Sequence, residues 1–328
     1  MADCIEVQRV SKRYGDCLAL DAVDMTVPEG KVFALLGENG AGKTTLIKIL
    51  TGFLKPDWGN ASILGLDCQR EARLLRHRIG YVADSPPLYE WMTPTEIGWF
   101  TSAFYDETFE GVYRKLIEEY QVPFHTKIKS LSKGQRAKVA LALATAHDPD
   151  LLILDEPTAG LDPIVRRQFL ESMVDRTVGG RSVLLSTHHI NEVERVADVV
   201  AMVHHGRMKL VQPLDVLKER TQIVTATIDD AHAELIPPKA EILSHTLRGR
   251  QSRWVVADLA EGWEPEFVAQ GGVRNHHTSR PSLEEIFVAV CGQPIVKQEV
   301  REEAGPLPEI EEDTLLAIAA ASEPNSGR

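Results

Sequence analysis

The 328-residue chain contains no apolar run near the roughly 20 residues that a membrane-spanning helix needs. Its opening, MADCIEVQRV, has no basic segment leading into an apolar core, so no secretory leader is expected. Cysteine is scarce: Cys4, Cys17, Cys68 and Cys291 are scattered without the spacing of a disulfide framework or a zinc site. A cytosolic chain with reduced thiols is the expectation. Positive charge is also in deficit, with 36 Lys and Arg against 48 Asp and Glu and a formal net charge of -12. Such a balance argues against a nucleic-acid partner, whose phosphates demand a basic surface, and against membrane contact through a polybasic patch. The 11 histidines include pairs at 188–189, 204–205 and 276–277, but none has neighbouring Cys, Asp or Glu spaced as a metal cage.

What is present is an alternation of short apolar runs with helical stretches. Val23, Met25 and Val27 alternate as in a half-buried strand, whereas KVFALL, LLILDE and SVLLSTH are continuous apolar runs of fully buried strands. Helical periodicity appears in KTTLIKILTG, in PIVRRQFLESMVDRT and in several segments between about 86 and 147. DVVAMVHHGRMKLVQ reads as a hairpin turning at His205 and Gly206. This order predicts an α/β domain over 1–220 with a mainly parallel sheet, an antiparallel β margin and an inserted helical subdomain. Residues 221–290 read as a small α+β C-terminal domain, in which Ser282 and Glu285 are spaced as a capping box. From 291 to 328 the chain is acidic and rich in proline, the composition of a disordered tail. Its TLLAIAAA stretch is either part of that tail or a short docking helix.

The stretch from Gly37 to Thr44, GENGAGKT, fits G-x-x-x-x-G-K-[ST], and it follows a buried strand and opens a helix. Glycines let successive backbone N–H groups face phosphate oxygens, and any side chain would block that approach. Gly37, Glu38, Asn39, Gly40, Ala41, Gly42, Lys43, Thr44 and Thr45 are therefore candidate nucleotide-phosphate ligands. Lys43 would face the β- and γ-phosphates, and the Thr44 hydroxyl would ligate Mg2+. LLILDEP places Asp155 at a strand end, suited to hold Mg2+ directly or through water, and Glu156 beside it as a candidate general base. A second phosphate-suited turn, SLSKGQ, opens a helix far downstream, with Ser132, Lys133, Gly134 and Gln135 at its start.

Taken in order, the P-loop, LSKGQ, LLILDEP, AGLD and STH resemble the ATP-binding cassette (ABC) ATPases, over residues 1 to about 220. The resemblance implies a P-loop NTPase core whose ATP is sandwiched between two cassettes facing head to tail. Ser132, Lys133, Gly134 and Gln135 would then act on the partner's ATP, which is why one chain carries two cradles. It further implies that Tyr14 stacks on adenine, that Asp162 couples the two sites, and that His188 contacts the γ-phosphate and orients water. On the residues alone, Tyr14 could equally belong to the core. The family usually has glutamine, ligating Mg2+, where this chain has Asp84, which is either a shorter and charged metal ligand or a solvated loop residue. The segment around RPSLEEIFVAV resembles the C-terminal extension of ATPase subunits of two-component exporters.

The resulting expectation is an ATP-hydrolysing subunit of an exporter, using ATP and Mg2+, paired with a second ATP-binding subunit. It would sit on the cytoplasmic face of the membrane against a separate permease, held by protein contacts. The rivals are a soluble ABC ATPase acting on ribosomes or DNA and a nucleotide-binding regulatory module. A single cassette without a heptad run disfavours the first, and intact Lys43, Asp155, Glu156 and His188 disfavour the second.

Overall fold

The computed structural model describes residues 3–158, 161, 163–229 and 235–292. Asp162 and the tail with its TLLAIAAA stretch lie outside them. The chain begins β1 (Asp3–Tyr14), β2 (Cys17–Pro28), β3 (Val32–Leu36), α1 (Lys43–Leu50), β4 (Trp58–Ile63), β5 (Leu66–Asp67), α2 (Ala72–Arg78) and β6 (Ile79–Val82). The helical insertion supplies α3 (Pro94–Ser102), α4 (Phe109–Glu119) and α5 (Lys133–Thr145). Next come β7 (Leu151–Asp155), α6 (Pro163–Val178), β8 (Ser182–Thr187), α7 (Ile190–Val193), β9 (Val199–His204), β10 (Arg207–Pro213) and α8 (Leu214–Arg220). The last part holds β11 (Thr221–Ile228), β12 (Glu241–Arg248), β13 (Gln251–Ala257), α9 (Glu264–Ala269), β14 (Val273–Ser279) and α10 (Leu283–Cys291).

The central sheet runs β10-β9-β3-β8-β7-β6, and every pairing in it is parallel except β9 with β10. Strands β3, β7 and β8 are buried at every position, as continuous apolar runs covered on both faces must be. A second sheet, β2-β1-β4-β5, is wholly antiparallel and shows the in–out burial alternation of a half-covered surface along β2. Helix α1 packs between the two, burying Leu46, Ile47, Ile49 and Leu50 with Phe33, Leu35 and Ile5. The helical insertion has a core of its own, in which Phe109, Tyr113, Ile117, Ile128 and Val139 meet. Among the described residues, no helix is long and apolar enough to cross a membrane.

Arg220 ends α8, and the chain then enters a third sheet, β12-β13-β11-β14. Met1–Pro294 nonetheless form one compact unit. The physical link is α10, opened by a capping box in which Ser282 and Glu285 exchange hydrogen bonds. Its Leu283, Ile286, Phe287 and Cys291 pack against Leu36, Val200, Met202 and Leu214 under the central sheet. The helix that follows the chain's last strand is thus part of the core beneath β3. Truncating Ile286, which is fully buried, is expected to cost about 2–5 kcal/mol. Val288→Ala, on the exposed side of the same helix, should stay within about 0.5 kcal/mol of the parent. Urea denaturation of the two variants checks the contrast.

Candidate active site

Parallel strands deliver their carboxyl ends to one edge of the sheet, and helix N-termini follow there. Here β3 ends at Leu36 and runs through the Gly37–Gly42 loop into α1. Gly42 has φ 108° and a Cβ there would lie 2.5 Å from the Ala19 carbonyl, so only glycine fits. The Ala41 N–H turns back to the Glu38 carbonyl at 3.1 Å. No hydrogen bond within the described chain takes the N–H groups of Asn39, Gly40, Gly42, Lys43, Thr44 or Thr45. The cradle is pinned from behind. The Gly206 N–H, in the β9–β10 turn, donates to the Ala41 carbonyl at 3.0 Å, and the Gly206 carbonyl accepts from Asp21 N–H at 2.9 Å.

Lys43 is only 6% exposed and its ammonium donates to the carbonyls of Gly37 (2.7 Å) and Glu38 (3.2 Å). The same Nζ lies 3.2 Å from Glu156 Oε1, an ion-pair contact that lacks hydrogen-bond alignment. Glu156, 12% exposed, has its other oxygen 2.8 Å from His188 Nδ1 and 3.3 Å from the His188 N–H. The fold therefore gathers Lys43 from β3–α1, Glu156 from the end of β7 and His188 from the end of β8. Asp155 is buried one residue earlier and accepts from the Ser186 hydroxyl at 2.7 Å. The β7–β8 register pairs Asp155 with Ser186 directly. Sequence reading passed over Ser186, whose signal was its place in STH, two residues before the histidine.

The other predicted residues lie around this centre. Tyr14 is 49% exposed at the β1–β2 turn, with the Lys12 ammonium 5.9 Å from its ring centre. It is not a core residue, and its ring is open to a stacking partner. Asp84 is exposed just past β6, close enough that its charge adds to that of Asp155 on Tyr81. Burial first, then those two carboxylates, pushes the Tyr81 hydroxyl up to about 12. Asp84 also lines a cavity of about 250 Å³ with Lys133, Pro157 and Leu161. Ser132 caps α5: its hydroxyl accepts from Gln135 N–H at 3.1 Å, and Gln135 Oε1 accepts from Ser132 N–H at 3.0 Å. Among the described residues, no hydrogen bond or ion pair joins 132–135 to the Gly37–Thr45 loop, Asp155 or His188.

Known proteins are similar to this chain in sequence and fold. The sequence pattern of the family described as "ABC transporter" matches residues 20–159. The daunorubicin resistance ATP-binding protein DrrA3 of Streptomyces coeruleorubidus is 31% identical over 331 residues, covering 89% of this chain and 97% of that protein. The chain belongs to the ABC transporter ATP-binding family. Nod factor export ATP-binding protein I of Sinorhizobium fredii is 36% identical over 212 residues, 62% of this chain, which spans 61% of that relative's length. A solved structure described as the ATP-binding subunit of an ABC transporter superposes with a TM-score of 0.61 at 32% identity, covering 66% of this chain and 92% of that one. The cassette has the P-loop NTPase fold that the sequence predicts.

The open N–H groups of the loop and the N-terminus of α1 offer donors and a positive dipole end that suit an anion such as a nucleotide phosphate. The residues present also fit Mg2+. Thr44 is exposed on the first turn of α1 with no hydrogen bond from its hydroxyl among the described residues, and Asp155 presents a carboxylate at the strand end. No group of three His, Cys, Asp or Glu among the described residues could hold a metal unaided. A hard cation sharing phosphate oxygens and waters with one or two protein oxygens is the arrangement such a donor set suits. Lys43→Ala removes a charge-assisted contact to phosphate worth about 1.5–3 kcal/mol, so ATP should bind roughly 10- to 150-fold more weakly. Titration with a fluorescent ATP analogue reads that shift directly.

Proposed function

We propose that the chain is the ATP-hydrolysing subunit of an exporter, driving a separate membrane permease by ATP-dependent closure of a cassette dimer. The observation that carries the hydrolytic part is the convergence of Lys43, Glu156 and His188, with contacts of 3.2 and 2.8 Å. Without a phosphate, Lys43 is neutralised by Glu156 and by two loop carbonyls. A γ-phosphate offers Lys43 a stronger partner and frees one Glu156 oxygen to accept a proton from the attacking water. His188, 38% exposed, holds the other Glu156 oxygen and orients that water against the phosphate. Thr44 and Asp155, with Asp84 alongside, would hold Mg2+, which would supply charge neutralisation of the phosphates. Tyr14 stacks on adenine, and Ser132, Lys133, Gly134 and Gln135 close on the partner's ATP, with Asp162 coupling the two sites.

Support for a membrane-protein partner comes from the helical insertion. Tyr89, Trp91, Trp99, Phe100 and Phe104 are exposed, and Tyr89 touches both Trp91 and Phe100 with ring centres 5.9 and 5.8 Å apart. An exposed aromatic surface of this kind suits protein contact. The name of Nod factor export ATP-binding protein I points to export. The peripheral position on the cytoplasmic face follows from that partner, and the transported substrate is chosen within it.

Glu156→Gln should bind ATP with Mg2+ yet lose at least about 100-fold in turnover, and so accumulate as a closed dimer. Size exclusion with ATP reads the dimer and phosphate release reads the turnover. A parental rate in Glu156→Gln would remove Glu156 from the mechanism. Mixing subunits tests the second cradle. A Ser132→Arg subunit should keep its own ATP binding while blocking hydrolysis at its partner's site. Loss of nucleotide binding within the Ser132→Arg monomer would overturn the shared-site arrangement.

A further inference from the structure

Two residues after Glu156, the side chain of Thr158 is 1% exposed, and its hydroxyl donates to Glu192 Oε2 at 2.9 Å. Glu192 sits on α7, four residues after His188, and is itself 13% exposed. Its other oxygen, Oε1, pairs with Arg166 Nη1 at 2.8 Å. Arg166 Nη2 in turn donates to the Leu161 carbonyl at 3.2 Å. One carboxylate therefore fastens the chain that leaves Glu156 to the helix that leaves His188. Among the described residues, no other side-chain hydrogen bond joins 157–161 to 189–193. We infer that Glu192 is a positioning residue for hydrolysis, setting the Glu156–His188 contact through a Thr158–Glu192–Arg166 bridge.

The chemistry of the bridge explains why a glutamate is needed. The guanidinium has only donors to offer and the hydroxyl here donates, so the carboxylate accepts from both. Glutamine can accept from Arg166 and donate to the Thr158 oxygen, but it gives up the negative charge that holds the guanidinium. Aspartate is one methylene shorter and cannot reach both. Among the described residues, no hydrogen bond or ion pair joins Thr158 or Glu192 to the P-loop, so the bridge bears on the aim of the hydrolytic groups and not on nucleotide binding. Misaiming reacting groups by a fraction of an ångström lowers the catalytic rate on the order of tenfold or more.

This inference rests on the reading of Glu156 and His188 as the hydrolytic pair, and the test keeps the two separable. Steady-state ATPase assays on the full chain should give Glu192→Gln and Thr158→Val each about tenfold lower kcat, with KM for ATP within about twofold of the parent. Thr158→Ser, which keeps the hydroxyl, should regain at least half of the parental kcat. The Thr158→Val/Glu192→Gln double variant should be no slower than the slower single variant, because the two groups act as one unit. Thermal melts establish that each variant is folded, and Thr158→Val carries the test should Glu192→Gln fail to fold. A kcat within twofold of the parent in the folded variants, losses that simply multiply, or KM rising as kcat falls would each overturn the assignment. Glu156→Gln, assayed alongside, reports on the hydrolytic pair itself: a parental rate there removes that reading whatever Glu192→Gln does.

Discussion

The contact between Lys43 and Glu156 is the constraint around which the catalytic edge is arranged. Two opposite charges have been drawn almost wholly out of water, and neither can stay there unpaired. Removing one member of such a pair costs about 3–5 kcal/mol, because the survivor is stranded. Much of the surrounding structure serves to spread that burden. Gly37 and Glu38 turn their carbonyls toward the ammonium, and His188 takes the second carboxylate oxygen. The Glu156 N–H continues the strand pairing by donating to the Ser186 carbonyl. An anion arriving at the loop meets a lysine already dehydrated and aimed, so the ordering has been done before binding.

Much of this was legible in the sequence, for a physical reason. Buried parallel strands must be apolar at every position, so KVFALL, LLILDE and SVLLSTH stood out, and the functional residues follow where those runs stop. The P-loop spacing is local, being dictated by the turn it makes. What could not be read is cross-chain. That Ser186 faces Asp155 depends on the register between β7 and β8. That α10 lies under Leu36 and Met202 depends on how a helix 240 or more residues after β3 returns to the sheet, roughly speaking a matter of tertiary packing alone. Thr158, Glu192 and Arg166 carry no motif at all and are joined only by folding.

The signature turn shows how two demands can share the same residues. Ser132 and Gln135 were read as facing a phosphate, yet in the chain alone they satisfy each other as a capping box. Both roles follow from one fact: the first N–H groups of a helix need an acceptor, from its own side chains or from an anion. Ser132 and Lys133 remain exposed, leaving the turn open to whatever approaches it.

Glu156 carries one more feature. Its backbone sits at φ 49°, in the left-handed region that side chains other than glycine and asparagine enter at a cost of roughly 1–2 kcal/mol. The strand ends there in a sharp bend, and the bend aims the carboxylate back at Lys43 and His188. Glycine at 156 would relax that strain but leave Lys43 buried without its partner, at a cost of about 3–5 kcal/mol, so the ion pair outweighs the strain and holds the bend in place.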